Sequence, residues 1–187
     1  MKTFPTLAVA AAACLATAAH GADSLPAGTL ITGQVSGAAT ALLGLDHLFA
    51  DEPGSNTTAL SAGELEFITA DAAVGLDFFA DGRLQVWNNT GNAALAGSYT
   101  FTFSFAGLGQ PLTAFAPLDV SQISGGSFSL QLVGPSTVSL TLSNLSFTGE
   151  FGSFTAQVAS AVPEPTSLAL MAAGLGLVAL RRARRSA

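Results

Sequence analysis

The sequence is poor in charged residues, and its few basic residues avoid the middle of the chain. Only 10% of the 187 residues are charged while 49% are hydrophobic, which excludes a disordered acidic or basic chain. Arg83 is the only base between Lys2 and Arg181, so residues 23–161, with eleven acids, carry a formal charge of 1 − 11 = −10. Nucleic acid is excluded as a partner because its phosphates would be repelled.

Cysteine and histidine are nearly absent as well. The single cysteine, Cys14, falls in the apolar N-terminal stretch, which leaves the rest of the chain without a disulfide, a thiolate nucleophile or a cysteine metal site. His47 is the only histidine beyond His20, which excludes a multi-histidine metal site. Neither a Gly-x-Ser-x-Gly nucleophile elbow nor a phosphate loop is present. Oxygen ligands of the kind that calcium needs occur without the spacing of a recognised calcium loop, at Asp46, Asp51, Glu52 and Asn56. We therefore predict no catalytic residue, metal or cofactor, and a protein that is not an enzyme.

The N-terminus has the three parts of a secretory signal peptide. Met1-Lys2 supplies the positive charge, the apolar run from Thr6 to Ala18 is too short to span a membrane, and small residues follow it. Cleavage by signal peptidase is expected between Ala18 and Ala22, so residues 1–21 are assigned to the signal peptide. The alternative is a buried N-terminal helix.

The C-terminus combines a proline-flanked acid, an uncharged run and a basic tail. The segment Val162-Pro163-Glu164-Pro165 can continue neither a helix interior nor a sheet, which predicts an extended linker. As a helix, residues 166–180 would reach about 22 Å, less than a hydrocarbon core of about 30 Å, a gap that bilayer thinning and snorkelling side chains can close. We predict a C-terminal transmembrane α-helix followed by cytoplasmic arginines, namely Arg181, Arg182, Arg184 and Arg185.

This order of Pro163-Glu164-Pro165, short apolar helix and arginine cluster closely resembles the PEP-CTERM sorting signal, over residues 162–187. The resemblance implies that an exosortase in the inner membrane of a Gram-negative bacterium cuts near the motif. The membrane would then hold the protein transiently, before it reaches the cell surface or the medium. The resemblance also implies a link to exopolysaccharide and biofilm. The same segment is also called an ice-binding protein C-terminal domain, a name that defines no activity. The alternative is an ordinary tail anchor. The sequence departs from the family pattern only in that Ala183 interrupts the arginine block.

Between these ends, residues 22–161 alternate hydrophobic and polar residues with the period of a β-strand. Residues 99–105, for example, place Phe101, Phe103 and Phe105 on one face. The same pattern predicts strands at 28–36, 63–70, 74–79, 127–132, 137–142, 145–149 and 152–160. Residues 37–62 are compatible with either a short helix or a long loop. Turn signals every eight to twelve residues or so favour an all-β ectodomain, an antiparallel β-sandwich of jelly-roll-like type.

The turn at Ala80-Asp81-Gly82 decides which side chains share a face. A three-residue loop pairs Phe78 with Leu84 and Leu76 with Val86 on the inner face, and it puts Gly82 in the left-handed position. The outer face of this hairpin then carries Asp77, Phe79, Arg83, Gln85 and Trp87. A solvent-facing aromatic side chain can stack on sugar rings, so these five residues are the predicted ligand face of a carbohydrate-binding module. The alternative is that this face packs against another segment.

Two other surfaces carry alternative hypotheses. Glu64 and Glu66, about 7 Å apart on one strand face, would suit a glycan hydrolase. Rows of hydroxyls such as Thr100, Thr102 and Ser104 would order water in an ice-binding protein, or they are solvated strand faces. Our principal hypothesis is a secreted, exosortase-processed and non-catalytic protein of the cell surface or extracellular matrix, and the carbohydrate-binding module is the first alternative.

Overall fold

The computed structural model describes residues 25–161 and, beyond them, Gly174 alone. Apart from Gly174, the predicted signal peptide, sorting motif, transmembrane helix and arginine tail lie outside the described residues. Within the part of the chain that is described, no helix has both the length and the apolar character needed to cross a membrane.

The described chain is all-β, with eleven strands and one short 3-10 turn at Leu45–His47. The strands are β1 (Leu30–Gly37), β2 (Leu42–Gly44), β3 (Thr57–Ala59), β4 (Phe67–Thr69), β5 (Val74–Phe78), β6 (Arg83–Asn88), β7 (Ala94–Ala106), β8 (Leu112–Asp119), β9 (Ile123–Gly134), β10 (Thr137–Phe147) and β11 (Ser153–Ser160). They form a five-stranded sheet in the order β3-β1-β7-β10-β9 and a six-stranded sheet in the order β2-β4-β5-β6-β11-β8. Every strand pair is antiparallel.

The two sheets enclose one core of hydrophobic side chains. The predicted alternation in β7 is confirmed, because Phe101, Phe103 and Phe105 are buried while the hydroxyl residues between them face outward. Phe103 of the five-stranded sheet contacts two rings of the six-stranded sheet, Phe67 at 5.8 Å and Phe78 at 5.0 Å between ring centroids. Such offset and edge-to-face contacts suit aromatic quadrupoles. The all-β, two-sheet architecture is therefore confirmed, while the finer jelly-roll-like assignment stays a prediction.

The predicted register of the β5–β6 hairpin is also confirmed. Phe78 pairs with Leu84 and Leu76 pairs with Val86, and all four side chains point into the core. Gly82 has φ of +81°, which only glycine adopts without steric cost. The β9–β10 hairpin likewise pairs Leu130 with Leu140, as its parity predicts.

Several boundaries differ from the predictions. Residues 37–62 form neither a helix nor a plain loop but the short strands β2 and β3 around the 3-10 turn. The predicted strands 137–142 and 145–149 are one strand, β10, interrupted by a bulge at Asn144, which has φ of +46°. Strand β8 was not predicted, because its proline, Pro117, is typical of turns; β8 is an edge strand, where proline is tolerated.

Candidate functional site

The outer face of the six-stranded sheet holds a groove of about 280 Å³ beside the only tryptophan of the chain. Strand pairing places Ile68 opposite Gly75, and Gly75 opposite Trp87, in one row across β4, β5 and β6. Adjacent strands are about 4.8 Å apart, so Ile68 and Trp87 are separated by roughly 10 Å, and β5 contributes no side chain between them. Gly75 is thus the floor of the groove, and the Trp87 side chain, 38% exposed, is one wall.

Two residues outside the strands complete the walls. Leu65 precedes β4, and Phe151 lies in the loop between β10 and β11, where its ring is 55% exposed. Phe151 has φ of +53°, an unusual conformation for an aromatic residue and one that persists where surrounding structure supports it. One such support is the hydrogen bond that the backbone N–H of Asn88 donates to the Gly152 carbonyl, at 2.9 Å. The structure therefore holds two partly exposed aromatic rings at one groove.

The polar lining consists of two asparagines with fixed side chains. The buried Asn88 donates from Nδ2 to the Asn92 carbonyl at 2.6 Å, and its Oδ1 accepts from the Thr90 hydroxyl at 2.8 Å. The exposed Asn89 donates from Nδ2 to the Ala72 carbonyl at 2.9 Å. These hydrogen bonds fix the orientation of both side-chain amides in the absence of a ligand.

The five residues of the predicted ligand face lie on the outer face of the sheet, but only Trp87 lines the groove. The Arg83 guanidinium lies 4.0 Å above the centre of the Phe79 ring, and Gln85 donates to the Ser153 hydroxyl at 3.2 Å. The role of the five as a ligand face stays a prediction.

The prediction from sequence missed the other lining residues: Leu65, Ile68, Gly75, Asn88, Asn89 and Phe151. The predicted hairpin register already places Gly75 opposite Trp87, so the position of Gly75 beside Trp87 could have been predicted from the sequence. Phe151 reaches the groove through a loop conformation that strand periodicity does not encode.

A buried carboxyl pair lies in the next row of the same sheet. Glu66 is 0% exposed, and its carboxylate accepts hydrogen bonds from the Ser61 amide at 3.0 Å and the Phe78 amide at 2.6 Å. Burial raises the pKa of Glu66 to about 7, against the lowering effect of those amides, and the neighbouring charge of Asp77 adds to the increase. Burial also raises the pKa of Asp77, although a hydrogen bond with Glu66 and the charge of Arg83 oppose it.

The geometry of this pair is consistent with a proton on Glu66. Asp77 Oδ1 is buried and has no hydrogen-bond partner among the described residues. Two ionised carboxylates have only acceptors, so they cannot satisfy each other, whereas a protonated Glu66 has one donor to offer Asp77.

The expectation that Glu64 and Glu66 share a strand face is wrong. Strand β4 begins only at Phe67, and Glu64 lies exposed in the preceding turn, where Gly63 has φ of +80°. Glu66 is fully buried. The two carboxylates therefore do not face each other across an open cleft.

The acidic loop of residues 46–56 is held by internal contacts. Asp46 accepts from the Ala59 amide at 2.9 Å, and Glu52 contacts His47 Nδ1 at 2.7 Å. Asn56 donates to the Gly33 carbonyl at 2.9 Å. In residues 25–161, no group of three or more His, Cys, Asp or Glu side chains is placed to hold a metal ion.

The outer face of the five-stranded sheet, here called the hydroxyl face, is uncharged. Its rows are in register: Thr32, Ser104 and Thr137 align, and so do Ser36, Thr100 and Thr141. Its members are Thr32, Gln34, Ser36, Thr57, Ser98, Thr100, Thr102, Ser104, Ser127, Ser129, Gln131, Thr137, Ser139, Thr141 and Ser143. Ice binding by such hydroxyl rows stays a prediction.

Comparison with known proteins gives one match. The family model described as the PEP-CTERM protein-sorting motif matches residues 161–185. Neither a curated protein nor a solved structure matches the chain. The match confirms what Val162-Pro163-Glu164-Pro165 and the arginine cluster predicted. The chain therefore carries a PEP-CTERM sorting motif at its C-terminus, and the motif implies an exosortase-processed secreted protein that passes through the membrane to the surface of a Gram-negative bacterium.

Proposed function

We propose that this protein is a non-catalytic component of the cell surface or extracellular matrix whose β-sandwich binds polysaccharide in the groove beside Trp87. Signal peptidase and exosortase remove the two ends, and the released domain associates with exopolysaccharide in a biofilm. The sorting motif supports the export route, and the groove supports the binding activity.

The juxtaposition of Trp87 and Gly75 carries the proposal. The Trp87 side chain is partly exposed, and it borders a depression whose floor is Gly75, with the Leu65 side chain packed beside it. A pyranose ring has an apolar face that packs on an indole and equatorial hydroxyls that reach neighbouring polar groups. The exposed Asn89 provides such a group in a fixed orientation.

The carboxylates support a binding role over hydrolysis. Glycoside hydrolysis uses two carboxyl groups that flank the scissile bond in a site open to substrate. Glu66 is enclosed, and neither Glu64 nor Asp77 lines the groove. We therefore propose that the domain retains its ligand without cleaving it.

A retention experiment tests the proposal. Trp87→Ala should weaken retention of the purified full chain on exopolysaccharide of the producing bacterium by at least about tenfold, as expected for removal of a central aromatic contact. Val133→Ala is the matched control, because Val133 is 61% exposed and lies on β9 of the other sheet. Equal retention of Trp87→Ala and the wild type would contradict the proposal.

A further inference from the structure

The groove beside Trp87 has an uncharged lining and belongs to an acidic domain. Its lining residues are apolar, aromatic or amide side chains. Two exposed acids, Glu64 and Glu150, are next in sequence to lining residues of the groove. A ligand therefore meets neutral contacts inside the groove, in a domain of net negative charge.

The one cation of the described residues is too far away and already engaged. Arg83 lies four residues from Trp87 along β6, roughly 13 Å at the strand rise. Its guanidinium lies over the Phe79 ring at 4.0 Å and within the field of the Asp77 carboxylate. A carboxylate or sulfate group on a ligand in the groove would meet no base to compensate the net negative charge of the domain.

A cationic polymer fits the groove no better. The acids of the domain would attract it, but none of them lines the groove, so the attraction would act over the whole domain and be screened by salt. Such long-range attraction would not depend on the indole ring of Trp87.

Building on the proposed function, we infer that the groove selects an uncharged polysaccharide and rejects acidic ones. Stacking on Trp87 and Phe151 supplies the attraction, and the neutral, exposed Asn89 amide faces the sugar hydroxyls. No lining residue is a base, so the net negative charge of the domain acts uncompensated against uronate, sulfate or phosphate substituents.

The inference is tested on exopolysaccharide of the producing bacterium, separated by anion exchange into uncharged and acidic fractions. We expect the full chain to be retained on the uncharged fraction, with at least about tenfold weaker retention for Trp87→Ala. Retention of the wild type should persist in ~1 M salt, where the Debye length is about 3 Å.

The remaining outcomes separate this inference from the proposed function. Trp87-dependent retention on the acidic fraction alone would overturn the selectivity and leave polysaccharide binding intact. Retention that salt abolishes and that Trp87→Ala does not change would mean general electrostatic adsorption, and it would overturn both. Absence of retention on either fraction would also overturn both.

Discussion

At the scale of single residues, burial decides the chemistry of Glu66. Its carboxyl group is enclosed between two backbone amides and the carboxyl of Asp77. Ionisation would place two negative charges side by side in a water-poor site. The folded protein therefore favours the protonated form far more than the unfolded chain does.

This preference makes stability dependent on pH. The folded pKa of Glu66 is about 7, above its ordinary value of 4.5, so folding takes up a proton between these values. The stabilisation should be fully present below about pH 4.5 and lost as the pH rises through 7, by an amount on the order of 3 kcal/mol. Urea unfolding at a series of pH values measures the change.

Glu66→Gln provides the control for that prediction. Its amide nitrogen cannot accept the hydrogen bond that one of the two backbone amides donates, so the variant should be less stable overall. Its free energy of unfolding should nevertheless vary much less between pH 4.5 and pH 8 than that of the wild type. An unchanged pH slope in Glu66→Gln would assign the effect to other groups.

At the scale of strands, the alternation of hydrophobic and polar residues in the sequence matches the alternation of buried and outward-facing side chains in the structure. The inward rings of β7 fill the space between the sheets, and the outward hydroxyls of the same strand belong to the hydroxyl face. The contribution of a β7 side chain to the free energy of unfolding should therefore depend on whether it faces the core or the hydroxyl face.

A pair of neighbouring substitutions tests this dependence. Phe103→Ala should lower the free energy of unfolding by about 3–5 kcal/mol, because a cavity opens between Phe67 and Phe78. Thr102→Ala, one residue away on the hydroxyl face, should change it by no more than about 0.5 kcal/mol. Denaturant titration compares the two, and similar losses would contradict the assigned faces.

The strands also show how much of the fold could be predicted from the sequence. Strands with regular alternation, and the hairpin turn at Gly82, were predictable because local pattern and turn chemistry agree with the fold. Strands β2 and β3 were not, because they depend on contacts outside the local pattern, such as that of Asp46 with Ala59. Likewise the outward orientation of Trp87 was predictable, whereas Phe151 belongs to the groove only through its loop.

At the scale of the whole molecule, charge is distributed unevenly. Residues 23–161 carry a formal charge of 1 − 11 = −10, yet the hydroxyl face carries none of it. The strand acids Asp77 and Asp119 belong to the six-stranded sheet. A protein released by cleavage at both ends would therefore be more acidic than the whole chain, whose formal charge is −6.

That statement depends on processing at both ends, which mass spectrometry of the secreted protein can check. The mature mass should lack the signal peptide and most of residues 162–187, including the four terminal arginines. Deletion of the exosortase should leave a heavier, membrane-associated form. A secreted protein that keeps its arginine tail in cells with active exosortase would contradict the processing.

The most direct test of polysaccharide binding uses the fluorescence of Trp87, the single tryptophan of the chain. Gly75→Ala would put a methyl group on the groove floor, 3.3 Å from Leu65 and 3.6 Å from the Trp87 side chain, with no backbone strain because φ of Gly75 is not positive. Gly109→Ala is the matched control, since nothing lies within 4 Å of its added methyl group.

Titration with the uncharged exopolysaccharide fraction should shift the emission of the wild type and of Gly109→Ala to shorter wavelength, saturably, as the indole is covered. Gly75→Ala should need at least severalfold more polysaccharide for the same shift. Emission that the polysaccharide leaves unchanged, or an identical response of all three proteins, would contradict a ligand in the groove beside Trp87.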